Sequence, residues 1–216
     1  MKKTSWIVGL ALAGTLGAAT AADIKGDAQA GAQKNAMCIG CHGIPGYHAS
    51  FPRVYKVPMI SGQKADYIAA ALTAYRKGDR RHPSMRGIAG SLSDQDIADL
   101  AAYYSQHGHS DTAAAPPDAA LPSALQDKLA ICVTCHGANF STPTTPGAPR
   151  LAGQHADYLA VAMRNYQAPG AMVGNNNAIM APMVKDLQPA DIRAIADYLG
   201  GLPGELHTIP ESRLRR

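Results

Sequence analysis

The chain has 216 residues, 20 Lys and Arg against 16 Asp and Glu, and a formal net charge of +4. Loss of Lys2 and Lys3 with the leader described below leaves 18 basic residues against 16 acidic ones, which offers no polybasic surface, so nucleic acid is excluded as an expected partner. Two Phe and a single Trp (Trp6, also in the leader) stand against 21 Gly and 15 Pro, so small domains of this composition cannot bury enough area unaided and something else must fill their cores.

Residues 1–21 read as a secretory signal peptide. Lys2 and Lys3 give a positive start, Trp6 to about Ala18 is apolar or small, and Ala19-Thr20-Ala21 is a small-x-small cleavage pattern. The apolar run falls short of the ~20 residues that a spanning helix needs. An uncleaved N-terminal anchor is the alternative. The expected mature protein is soluble and periplasmic.

A first domain is expected over residues 22–108. A helix runs from about Gly26 into Cys38-Ile39-Gly40-Cys41-His42. A second opens near Ala65, with Tyr67, Ile68, Ala71, Leu72 and Tyr75 along one face. A third opens at Ser93, where Ser-Asp-Gln-Asp is a capping-box relative with Asp96 in place of Glu. Residues 109–123, rich in Ala and Pro, read as a linker.

A second domain over 124–216 repeats the first. Cys132-Val133-Thr134-Cys135-His136 copies the cysteine motif 94 residues on. Pro149–Tyr166 copies Pro58–Tyr75 at an offset of 91, and Met180–Leu199 copies Met85–Tyr104 at 95. The last helix opens at Pro189 and stops before Gly200-Gly201. No segment has strand alternation, so the class is all-α.

All four cysteines sit in Cys-x-x-Cys-His. Disulfides, a thioredoxin-like dithiol and half of a zinc site are the rival readings. The His in both copies, the duplicated all-α pattern and the lack of a second ligand pair at zinc-finger spacing favour covalent haem c. Two thiols three positions apart reach the two vinyl groups on one haem edge, and the next residue projects its imidazole over the metal. Cys38 and Cys41 are thus the expected thioethers of one haem, with His42 as axial ligand. Cys132, Cys135 and His136 serve the other. Two covalently attached haem c groups supply the missing core volume.

The sixth ligands follow from register. Met85 lies 43 residues after His42, and Met180 lies 44 after His136. Each stands eight residues before the opening of the last helix of its domain, at Ser93 and Gln188. The competitors are His82 for the first site and Met183 for the second. His48, His107, His109, His155 and His207 have no matched partner in the repeat, and Arg213, Arg215 and Arg216 read as a solvated end.

Together the leader, the two CxxCH domains, the PRLAGQ-type segments and the late methionines resemble the dihaem class I cytochromes c of the cytochrome c4 group. The resemblance covers about Gly26 to Gly201. It implies two class I cytochrome c folds about a pseudo-twofold axis and His/Met coordination of both irons. It also implies that the Pro58 and Pro149 carbonyls lie near the axial histidines and that Arg150 approaches a propionate. Met59 replaces the basic residue in the first domain, so the two haems are expected to differ. Closed axial sites point to one-electron transfer without catalysis. The expected role is a shuttle between a quinol-oxidising complex or dehydrogenase and a terminal oxidase or other acceptor, with peripheral association with membrane complexes. The alternatives are the cytochrome subunit of a dehydrogenase such as flavocytochrome c sulfide dehydrogenase, and a dihaem peroxidase.

Overall fold

A computed structural model describes residues 24–108 and 118–211. The expected signal peptide, residues 109–117 of the expected linker and the three tail arginines lie outside the described residues. Two helical domains follow one another.

In the first domain Asp27 caps α1 (Ala28–Lys34), its carboxylate accepting from the Gln29 and Ala30 amides. The helix expected to run unbroken into the cysteines is instead interrupted at Asn35, and α2 (Ala36–His42) restarts beyond it. Asn35 is fully buried, and its side-chain amide donates to both oxygens of Glu211, at 3.1 and 3.0 Å. The second domain has Leu129 three residues before its first cysteine, also fully buried, and there one helix, α6 (Gln126–His136), runs through. An amide drawn sideways to a carboxylate breaks the helix, and a Leu that fills the core does not.

The amphipathic segments form α3 (Ala65–Lys77) and α7 (Ala156–Gln167). The last helices are α5 (Asp94–Gln106) and α9 (Pro189–Gly201). The Ser93–Asp96 capping box forms as expected, and Gln188 and Asp191 repeat it. α9 runs through both glycines at 200 and 201 rather than stopping before them, and Leu202 ends it in extended backbone. Two short helices escaped the sequence reading: α4 (Pro83–Gly90) and α8 (Met180–Val184). α1 crosses α5 closely because position 31 is glycine; a Cβ there would lie 2.2 Å from the Asp99 carbonyl oxygen.

One core gathers Ile68, Leu92, Ile97, Leu100 and Tyr104, with Cys38 packed against it. The other gathers Leu125, Leu129, Phe140, Leu159, Ile192, Ile195 and Leu199, with Cys132 packed against it. Ala119 and Leu121, from the expected linker, pack on this second core, and Tyr198 donates to the Ala120 carbonyl at 3.1 Å.

Two-residue strands, too short to show as alternation in the sequence, accompany the helices of the all-α frame. β1 (His48–Ala49) pairs with β2 (Tyr55–Lys56) inside the first domain. β3 (Arg80–Arg81) pairs antiparallel with β4 (Gly174–Asn175) of the other domain, Arg80 opposite Asn175. Beyond α9 the chain returns to the first domain, where the His207 amide donates to the Ser61 carbonyl at 3.0 Å. This arm approaches Gly62, whose φ of +80 suits glycine and whose added Cβ would lie 2.2 Å from the Glu205 carbonyl oxygen.

Candidate haem sites

Each cysteine pair lies on one helix at positions i and i+3, hence on one face: Cys38 and Cys41 on α2, Cys132 and Cys135 on α6. All four are unbridged thiols. Burial pushes the Cys38 and Cys132 thiols above their ordinary range. A reactive dithiol has the opposite property, a depressed thiol pKa.

The histidine after each pair closes its helix and turns back to a proline carbonyl. His42 Nδ1 lies 2.8 Å from the Pro58 oxygen, and His136 Nδ1 lies 3.0 Å from the Pro149 oxygen. A carbonyl only accepts, so Nδ1 carries the proton and Nε2 keeps its lone pair in each ring. Burial holds both rings below the ordinary imidazole pKa, and for His42 the nearby Arg80 and His82 push the same way. Two neutral imidazoles, each fixed in the tautomer that presents Nε2, follow two adjacent thiols. That donor set fits a covalently held haem.

Later in each domain, Met85 sits in the first turn of α4 and Met180 is the first residue of α8; both are half-buried. Met183 is 46% exposed. The Met180 amide donates to the Asn177 side chain at 2.8 Å, which anchors the start of α8. His82 stands at the N-cap of α4 with both ring nitrogens buried and unpartnered. The first arm therefore presents an orphaned imidazole beside its methionine.

The sequence model of the cytochrome c family, "Cytochrome c", matches residues 28–107 and again 127–203. The chain belongs to the cytochrome c family. Among full-length relatives, this cytochrome is 33% identical over 194 residues to cytochrome c4 of Pseudomonas aeruginosa, spanning 87% of this chain and 94% of that one. It is 31% identical over 191 residues to the thiosulfate dehydrogenase electron acceptor of Stutzerimonas stutzeri, spanning 81% and 83%. The crystal structure of reduced recombinant cytochrome c4 from Pseudomonas stutzeri superposes with a TM-score of 0.61 at 28% identity, covering 82% of this chain and all of that one. The cytochrome is a two-domain, dihaem electron-transfer protein of the c4 kind, with two covalently attached haem c groups.

Arg150 directs Nε to the Ser141 carbonyl at 2.9 Å, Nη1 to the Gly62 carbonyl and Nη2 to Glu205 at 3.0 Å. Three of the five guanidinium N–H groups thus meet protein acceptors. Arg80 was not singled out by sequence. It donates to Tyr67 at 3.2 Å and Tyr158 at 2.8 Å, and lies 4.7 Å from the Tyr75 ring centroid. Tyr67 and Tyr158 are the same position of the repeat, so a first-domain cation joins matched tyrosines of both domains. The signal was present in the repeated Ala-Asp-Tyr, but nothing local pairs it with Arg80.

Proposed function

We propose that this cytochrome is a periplasmic one-electron carrier with His42/Met85 and His136/Met180 as axial pairs and Cys38, Cys41, Cys132 and Cys135 as thioether anchors. The observation that carries the reading is the matched hydrogen bond from each CxxCH imidazole to a proline carbonyl. The domains run over 22–108 and 124–216 behind a leader cleaved near Ala21. No helix among the described residues is long and apolar enough to cross a membrane.

Bound haem c supplies a one-electron ferric/ferrous couple. The chain's own residues do the rest. The four thiols fix the haem edges. The proline carbonyls hold the imidazole planes and keep Nε2 unprotonated. The methionine arms close the far faces, which excludes water and peroxide and argues against a peroxidase. Met180 is favoured over Met183 because it is the less exposed. Donor and acceptor then meet the protein through weak, transient contacts. The first reading is a shuttle from a quinol-oxidising complex or dehydrogenase to a terminal oxidase.

A second reading has its own support. A relative at 31% identity is named as the electron acceptor of thiosulfate dehydrogenase, which favours service to a dehydrogenase of sulfur compounds. Co-purification with a catalytic chain would select it; isolation as a small free protein would select the shuttle.

The ligand set is tested in the near infrared. The oxidised protein is expected to show a methionine-to-iron charge-transfer band, and Met85→Ala and Met180→Ala are each expected to remove about half of it. His82→Ala and Met183→Ala leave it whole. A band unchanged in either methionine variant overturns that arm.

A further inference from the structure

The two loops that carry Pro58 and Pro149 are each held in part by the opposite domain. Pro58 and Pro149, which receive the axial histidines, each begin a peptide whose N–H belongs to the next residue. The Met59 amide donates to Gln154 Oε1 at 3.1 Å, and Gln154 Nε2 donates back to the Met59 carbonyl at 2.9 Å. In the other direction, the Arg150 amide donates to Gln63 Oε1 at 2.8 Å, and Gln63 Nε2 donates to the Arg150 carbonyl at 3.1 Å. Both glutamines are buried, at 3% and 4% exposure. Each also accepts from the amide of its own successor, Lys64 or His155, at 2.9 Å.

A second matched pair grips the same loops three residues earlier. The Lys56 amide donates to Asp157 at 2.9 Å, and the Gly147 amide donates to Asp66 at 3.2 Å. Gln63 and Gln154 occupy one position of the repeat, as do Asp66 and Asp157. The exchange is therefore reciprocal. Each domain lends a Gly-Gln-x-x-Asp segment to clamp the proximal loop of its neighbour.

The chemical consequence lies in the peptide group itself. In the Pro58–Met59 peptide the oxygen accepts from His42 and the N–H donates to Gln154. One planar, polarisable unit links a glutamine of the second domain to the axial histidine of the first. Hydrogen bonds in such a chain strengthen one another. The more the glutamine polarises the peptide, the stronger the carbonyl as acceptor, and the more electron-rich the imidazole, as with outer partners of metal-bound histidines. Electron-rich imidazole favours the ferric state.

We propose that Gln154 and Gln63 are cross-domain positioning residues, each tuning through one peptide group the haem potential of the domain it does not belong to. This rests on His42 and His136 being the axial ligands. The test is a pair of variants, Gln154→Leu and Gln63→Leu, in the full dihaem protein, with each haem followed separately through its own methyl resonances during a redox titration.

Gln154→Leu is expected to raise the potential of the first haem by up to a tenfold change in the reduced-to-oxidised ratio, about 59 mV for one electron. The second haem is expected to stay within a twofold change, and the His42 Nδ1–H resonance to shift. Gln63→Leu gives the mirror result. Gln154→Glu keeps the acceptor, and the first haem keeps or lowers its potential. A clamp that is only structural would instead move both haems together or neither. That outcome, or unchanged potentials in both Leu variants, overturns the proposal; if the Leu variants fail to fold, a raised first-haem potential in Gln154→Glu does so. His42→Ala separates the premise: if the first haem keeps its native low-spin spectrum in that variant, the ligand reading has failed. If it loses that spectrum while Gln154→Leu changes nothing, only the cross-domain link has failed.

Discussion

The two domains share a frame and differ in how they close it. Both have the CxxCH helix, the proline carbonyl, the lent glutamine and a late methionine. Both also join a lysine four residues before the first cysteine to the third residue of the last helix: Lys34 to Asp96 at 2.7 Å, and Lys128 to Asp191 at 2.9 Å. At the next turn they part. The second domain fills its centre with Leu129 and Phe140, both 0% exposed. The first puts Asn35 and Asp99 there, with Asp99 accepting from the Asp27 amide at 2.8 Å, Gln95 at 2.8 Å and Lys34 at 2.6 Å. Apolar closure is self-contained. Polar closure needs partners, and the first domain takes one of them, Glu211, from the C-terminal arm of the second domain. Duplicated domains can thus keep a redox site while becoming dependent on each other outside it.

The largest way to break this contrast is Phe140→Ala. It opens a cavity in the self-contained core, and an expected loss of about 3 kcal/mol should appear in denaturant unfolding, with amide exchange rising in α9 before α5. Next comes Glu211→Ala, which removes the carboxylate from Asn35 and Tyr103. About 2 kcal/mol is expected to be lost, and amide protection should fall in α1 and α5 of the first domain although the mutated residue belongs to the second. Equal loss in both domains would sink the idea of a borrowed partner. The smallest effect is in pH. The Lys34 ammonium and the Asp27 amide hold the Asp99 carboxyl below the usual carboxylate range. A depressed folded pKa gives stability that is complete above the unfolded carboxylate value and is lost as pH falls through the folded one. Asp99→Asn should therefore flatten the acid limb of first-domain unfolding while leaving stability at neutral pH less affected than Glu211→Ala does.

Much of the frame was legible in the chain. The duplication placed α3, α5, α7 and α9, and the Ser-Asp-Gln-Asp signature located the cap of α5, because each rests on spacing within one element. The break at Asn35 was not, since it depends on Glu211, 176 residues away. The helices α4 and α8 were missed because Pro83 and Met180 begin segments of only eight and five residues, too short for a periodic pattern. Met85 and Met180 were found by register, whereas Gln63 and Gln154 stood in plain view in both copies and acquired a role only when the opposite domain was in place. Arg150 likewise meets Glu205 and two carbonyls that no local pattern announces.

The returning arm, residues 203–211, also has a temporal meaning. The carboxylate that meets Asn35 follows α9 in chain order, so a ribosome cannot supply it until the whole second domain has been made. The first CxxCH helix therefore leaves the ribosome in a domain whose latch does not yet exist.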